Sequence, residues 1–260
     1  MAGEIIKEEQ GHVCTLTINR PDKRNSLDRA ALTAMGDVLN GMRERDRPMV
    51  IVLRGEGQKA FCAGGDLSGA TDGVEMRRSI EALDYCLRSL IDYPYPVIAM
   101  IYGHAVGAGL DLAVIADFRY AADNARMGAN LVKLGRIYYY TSTIRLINLV
   151  GWGPAKELLL TGRFIGPERA REIGLVNKIF AVDQLEQETF ALARELAGES
   201  SFPALKGTKA MFRKLTDNQL LDPAVETGLK AIMDTVNTCV DAGEGPRAFM
   251  EKRKPLFTEK

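Results

Sequence analysis

Apolar residues recur along the chain with two different periods, and the change between them marks out its elements. In HVCTLTINR, Cys14, Leu16 and Ile18 alternate with Val13, Thr15 and Thr17, the period of two that sets one face of a strand against a core. Pro21-Asp22 then turns the chain. From Ser26 to Arg45, Leu32, Met35, Val38, Leu39 and Met42 fall at helical spacing, with Ser26 or Asp28 available as the N-terminal cap. MVIVLRG follows as a short buried strand. Met76, Ile80, Leu83, Leu87, Leu90 and Ile91 trace one stripe of a second helix, which Pro94 and Pro96 end.

The weakly charged stretch from Tyr93 to Asp117 approaches membrane-spanning length, but it holds two prolines, three clustered glycines, His104 and Asp111. It therefore predicts a strand (VIAMIYG), a turn and a buried helix (GAGLDLAVIAD). After Met127 the pattern loosens until TSTIRLINLVG. Helical segments follow in GPAKELLLTG, GPERAREIG, the run from Asp183 to Gly198 and the run from Ala204 onward. Strands thus concentrate in roughly the first 125 residues and helices in the rest, an α/β core with a helical tail. No low-complexity tract, heptad run or internal sequence repeat is visible.

A chain of 260 residues with 46% hydrophobic content can bury a core as one large domain or a domain with an appendage. Its 34 Lys and Arg are matched by 34 Asp and Glu, so no overall basic field favours a nucleic acid or an anionic membrane as partner. MAGEIIKEEQGHV lacks the apolar region of a secretory signal. Cys14, Cys62, Cys86 and Cys239 form no C-x-x-C pair and share no ligand spacing with His12 or His104. The expectation is a reduced, metal-free, cytoplasmic protein. Cys62, just before a glycine loop, is a candidate thiol nucleophile, although a lone cysteine without a neighbouring base more often fills a core.

Two glycine loops carry the strongest chemical signal. KAFCAGGDLSGA (Lys59 to Ala70) and YGHAVGAGLDLA (Tyr102 to Ala113) each lie between a predicted strand and a predicted helix. Neither is a Walker loop, because no Gly-Lys-Ser/Thr follows, and the dinucleotide fingerprint fails at Leu112. Loops stripped of side chains let backbone N–H groups reach an oxyanion or phosphate, or simply permit tight turns.

FCAGGDL, followed by GHAVGAGLDLAVIADFRYAADNARMG, resembles the paired signature of the enoyl-CoA hydratase/isomerase superfamily, the crotonases. INRPDKRNSL, ELLLTGRFIGPERAREIGLVNKIF and FMEKRKPLF extend the likeness over nearly the whole chain. The resemblance implies a crotonase-like spiral of β-β-α turns over residues 1–200, with a C-terminal helical region over 201–260 that assembles a homotrimer or a dimer of trimers. It implies an acyl-CoA thioester as partner, coenzyme A entering as part of the substrate, and no permanently bound cofactor. Gly65 and Ala108 would supply the backbone donors of an oxyanion hole. Lys23, Arg24, Ala63, Asp66, Leu67, Phe249 and Lys252 would surround the CoA. The chemistry is coherent: an enolate formed on a thioester places charge on the carbonyl oxygen, and each preorganised donor is worth about 3 to 4 kcal/mol.

The resemblance also exposes departures. Hydratases of the superfamily hold a water between two glutamates, and those positions fall here on Asp111 and Leu131. Asp111, three residues after Ala108, keeps a carboxylate on the same helical face, about 4.5 Å along the axis; Leu131 moves no proton. Asn130 could orient water or substrate but is a poor base. LGRIYYYTSTIRL puts Tyr138, Tyr139 and Tyr140 on the segment that lines the acyl pocket in the superfamily. All three cannot face one pocket in either extended or helical backbone. Members similar to methylmalonyl-CoA decarboxylase carry a tyrosine matching Tyr138 and lack the second glutamate, yet have a histidine where Gly65 stands and a glutamate where Asp111 stands. Three functions follow as expectations: a hydratase-like lyase on an unusual or cyclic enoyl-CoA, a decarboxylase using Tyr138, or an acyl-CoA binding protein without catalysis. Gly65, Ala108, Asp111 and Tyr138 are the catalytic candidates, and Asn130, Leu131, Tyr139 and Tyr140 the pocket candidates.

Overall fold

The computed structural model describes residues 4–45, 47–66, 73–217 and 223–256. Its first elements are β1 (Ile5–Gln10), β2 (Val13–Ile18), α1 (Arg29–Glu44) and β3 (Val50–Gly55). Next come β4 (Ala60–Cys62), α2 (Gly73–Ile91), β5 (Val97–Ile101), β6 (His104–Val106) and α3 (Ala108–Ile115). The remaining strands are β7 (Phe118–Ala122), β8 (Arg126–Gly128) and β9 (Lys178–Phe180). Six strands form one sheet in the order β1-β2-β3-β5-β7-β9, and β4-β6-β8 form a second. Among the described strands only β1 runs antiparallel to its neighbour.

The alternation has a simple cause. A long strand in the first sheet is followed by a short strand in the second and then, in the first two units, by a helix, so β3-β4-α2 and β5-β6-α3 are successive turns of one spiral. β7-β8 begins another. The sequence shows no repeat because what recurs is backbone pairing, which many side chains satisfy.

Two expectations change. β2 has no solvent-exposed face: Thr17 is buried, Thr15 is half-buried, and Val13 joins a second apolar cluster that packs β3, β5 and β7 against a late helix. That helix, α7 (Leu185–Glu199), covers the sheet's other side through Leu185 and Ala193. β9 lies in the part of the chain expected to be helical; a three-residue edge strand with half-buried Ile179 and Phe180 carries too little alternation to read.

The helical expectations match closely. Asp28 rather than Ser26 caps α1, its carboxylate accepting from Ala31 N at 2.9 Å. The chain continues through α4 (Tyr140–Val150), α5 (Trp152–Thr161), α6 (Pro167–Glu172), then α7, α8 (Phe202–Asp217), α9 (Pro223–Thr238) and α10 (Val240–Met250). The Tyr93 to Asp117 stretch is the expected strand, turn and buried helix. Among the described residues no helix is long and apolar enough to cross a membrane.

α3 is the innermost helix, with every residue from Gly109 to Val114 buried. Its C-terminal carbonyls at Ala113 and Ala116 accept from the buried guanidinium of Arg119, which also donates to Leu175 O. A cation at that end satisfies orphan acceptors and suits the helix dipole. The other end is set by Gly109, where an added Cβ would collide with the Cys62 carbonyl and stand 2.8 Å from its Cβ. Gly109→Ala should therefore lower stability by about 1 to 3 kcal/mol, read from the urea midpoint; an unchanged midpoint would mean that α3 does not approach β4 this closely.

Candidate active site

β4 and β6 are parallel neighbours, so the loops leaving them emerge side by side at one end of the small sheet. Gly64, at φ +103°, and Gly107, at φ +54°, make the turns, in backbone conformations that L side chains rarely adopt. The loops also touch. A Cβ on Gly64 would stand 2.9 Å from Val106 O and 3.9 Å from Ala108 N, and one on Gly107 would stand 4.0 Å from Gly64 Cα.

The neighbouring amides are engaged. Ala63 N donates to Arg24 O (3.1 Å), Asp66 N to Leu27 O (2.8 Å) and Gly107 N to Gly128 O (3.1 Å). Leu27 N in turn donates to Gly64 O at 2.8 Å, so residues 24–27 strap the first loop in place. Among the described residues no acceptor takes the Gly65 or Ala108 N–H. Both residues line one cavity of about 510 Å³. Two uncommitted donors on adjoining turns, one of them at the N-terminus of α3, are what a developing oxyanion requires.

Asp111 lies one helical turn into α3 and is 2% exposed. Burial pushes its carboxyl up to about 6, against the lowering influence of the Arg145 charge and of the polar side chains of Ser142 and Tyr138. Tyr138 is buried against it, with its hydroxyl 3.5 Å from Gly107 O. Burial first, and the adjacent Asp111 second, hold that phenol protonated well above its ordinary range. This end of the cavity thus holds one carboxyl able to change protonation near neutrality and one neutral hydroxyl. Leu131 lines the same cavity, and a Cβ added to Gly107 would stand 3.7 Å from its Cδ1.

The cavity wall brings together Arg24, Ala63, Gly65, Asp66, Ala108 and Asp111 with Asn130, Leu131, Tyr138, Tyr139 and Phe249. Three predicted residues are not on it. Lys23 is exposed and pairs with Asp66 at 3.0 Å. Lys252 is exposed beyond α10. Tyr140, the first residue of α4, is off the cavity wall and donates to Glu226 of α9 at 2.8 Å; the chain reaches it from Tyr138 through Tyr139, whose backbone is extended. Tyr139, which lines the cavity, packs against Tyr140 with ring centroids 5.1 Å apart. Leu67 lies outside the described residues. Cys62 is fully buried, its thiol pushed up to about 12 by burial, so it packs beneath α3 and makes a poor nucleophile.

Several contributors were not anticipated. Met76, Ile80, Leu83 and Leu87 of α2 form an apolar side of the cavity, and Met233 of α9 closes part of another. Their helical stripe was visible, but a stripe facing a cavity and one facing a core look alike in sequence. Ser142 and Arg145 stand beside Asp111; the signal available was a single cation, Arg145, inside the apolar run TIRLINLV.

Comparison with known proteins now decides the family. The model of the enoyl-CoA hydratase/isomerase family matches residues 8–260. The chain belongs to that family. A crotonyl-CoA hydratase of Syntrophomonas wolfei is 33% identical, covering 98% of both chains. A carnitinyl-CoA dehydratase of Salmonella typhi is 30% identical over 99% of both. Among solved structures, a methylmalonyl-CoA decarboxylase in complex with 2-nitronate-propionyl-CoA matches with a TM-score of 0.91 at 25% identity, covering 99% of both chains. The spiral implied by the resemblance is the fold of this family.

The acidity of Asp111 has a consequence for stability. Folded, it keeps its proton up to about pH 6, against an ordinary value of 3.8. Stability is therefore lost as pH rises from about 4 to 6, and a deficit of about 3 kcal/mol persists above that. Asp111→Asn should unfold at a higher temperature than the unaltered protein at pH 8, with the gap closing near pH 4. A gap that does not grow with pH would contradict the buried, proton-retaining carboxyl.

Proposed function

We propose that this family member is an acyl-CoA lyase that adds water to, or eliminates it from, a 2-enoyl or 3-hydroxyacyl thioester with Asp111 as its single acid–base carboxyl. The observation that carries this is the convergence of Asp111 and Tyr138 beside the Gly65 and Ala108 donors in one cavity; Leu131, at the position that the family resemblance gives to a second carboxylate, supports a single acid–base group. The thioester carbonyl sits between the two N–H groups. In the hydration direction, water attacks the β carbon, Asp111 takes its proton, and the enolate charge rests on the oxygen held by the loops. Asp111 then returns the proton to the α carbon, so one group does both transfers on one face of the acyl chain. Tyr138, held neutral, orients the water. The relatives named as hydratase and dehydratase support this chemistry.

Tyr138 and the likeness to a decarboxylase favour a second reading. There the substrate loses carbon dioxide from the α carbon, the bonding electrons form the same enolate, and a proton replaces the lost group. An acyl-CoA binding protein that performs neither reaction is the rival from outside catalysis.

Crotonyl-CoA, cyclic dienoyl-CoA and malonyl-type thioesters, incubated with the protein and followed by mass, separate the three. A gain of 18 mass units supports the lyase, loss of carbon dioxide supports the decarboxylase, and binding without conversion supports the rival. Tyr138→Phe should lower turnover roughly 10- to 100-fold while leaving CoA affinity within about twofold; equal losses in both, or none, would remove Tyr138 from the chemistry.

The C-terminal helices are proposed to assemble a trimer. Met211, Phe212 and Leu215 on α8 and Ile232 on α9 are more than half exposed, an apolar surface that solvent disfavours. Light scattering at micromolar concentration should give about three times the chain mass or a multiple of it, and a monomer would contradict the assembly.

A further inference from the structure

Arg145 reaches the site from behind. It projects from α4, is absent from the wall of the cavity, and sets Nη2 3.8 Å from Asp111 Oδ1. Its position is fixed by the Ser142 hydroxyl at 3.1 Å and the Thr141 hydroxyl at 3.5 Å from the same nitrogen, both one turn earlier on α4. Asp111 Oδ1 and Arg145 Nε are both buried and make no hydrogen bond among the described residues. A bidentate pair would lock the carboxylate and spend both of its oxygens. Here the charges lie close without that lock.

We propose that Arg145 is the positioning residue that makes Asp111 a base at neutral pH, acting by its charge from outside the substrate cavity. This rests on the proton-handling role of Asp111 given above. A carboxyl as buried as Asp111 would, without an opposite charge nearby, keep its proton at neutrality and could not accept one from water or substrate. A hydrogen-bonded ion pair would fail in the opposite sense, holding the anion too firmly to pick up a proton in the next step. At 3.8 Å the guanidinium lowers the cost of the charged form while Oδ1 stays open to exchange.

Other charged groups share the cavity without setting Asp111. Glu75 and Asp84 of α2 and Arg136 on the wall line the same space, as does Arg24 beside the first loop. The groups that move Asp111 are Arg145, Ser142 and Tyr138, acting against burial. Of these, Arg145 alone is a cation. Ser142 is 1% exposed and serves both members of the pair, helping Asp111 directly and holding Arg145 in place.

The test is the pH dependence of kcat/KM on the substrate that the thioester panel identifies, for the unaltered protein, Arg145→Lys, Arg145→Met and Arg145→Gln. The neutral variants should move the acid limb upward by about one pH unit or more, with KM near the original value, while Arg145→Lys restores most of the original profile. An acid limb that stays in place in folded Arg145→Met or Arg145→Gln overturns the proposal, whatever happens to the maximal rate. The side-chain carboxyl of Asp111, carbon-13 labelled and titrated by NMR without substrate, gives the second readout. It should titrate higher in the neutral variants and close to the original in Arg145→Lys; an unmoved titration overturns the proposal. Asp111→Asn separates the two levels of inference. Full turnover in that variant would sink the catalytic role of Asp111, and the NMR titration would still decide whether Arg145 governs its charge.

Discussion

The site depends on a backbone contact from which side chains are excluded. Gly64 lies against Val106–Ala108, and Gly109 lies against Cys62, at distances where a Cβ would collide with backbone. Because β4 and β6 run parallel, both turns fall at the same end of their sheet. Only with glycine at these positions do the turns come close enough to place two amides on one cavity. Strap residues 24–27 and the β8 residue Gly128 use up the neighbouring donors and acceptors. What is left over is the pair of N–H groups that the proposed function gives to a thioester oxygen.

The second constraint is a charge in the wrong solvent. α3 is apolar on all sides except for Asp111, and a lone carboxyl there is destabilising whenever it ionises. The protein tolerates it with two hydroxyls and a guanidinium placed around one end of the helix. No other carboxylate is among the groups that move it. The arrangement trades stability for a group whose protonation changes near neutral pH, which a structural aspartate would not need.

Sequence legibility was uneven for physical reasons. The helices α1, α2 and α3 and the strands β2, β3 and β5 announce themselves because each spans enough residues for a period to show. β4, β6, β8 and β9 are three residues long, too short for that, and the spiral they complete repeats in pairing and not in side chains. The loops around Gly65 and Ala108 were legible as strand-to-helix turns, and it was their joint likeness to one family's paired signature that marked them for an oxyanion. The three tyrosines separated as backbone geometry required: Tyr138 at Asp111, Tyr139 on the wall, Tyr140 out to α9. Lys23 and Lys252 could not be placed from charge alone, since a surface lysine looks the same whether it faces a ligand or an aspartate. Arg145 stayed hidden because its meaning lies in a tertiary neighbour, thirty-four positions back in the chain.

The central claim is that the Gly65 and Ala108 amides polarise a thioester carbonyl. Butyryl-CoA, saturated and so unable to undergo hydration, can be labelled with carbon-13 at that carbonyl and observed by isotope-edited infrared difference spectroscopy on binding. Two preorganised donors should move the carbonyl band to lower wavenumber than in water, as charge is drawn onto the oxygen. A band at or above its solution position, with binding confirmed in the same sample, would contradict the account.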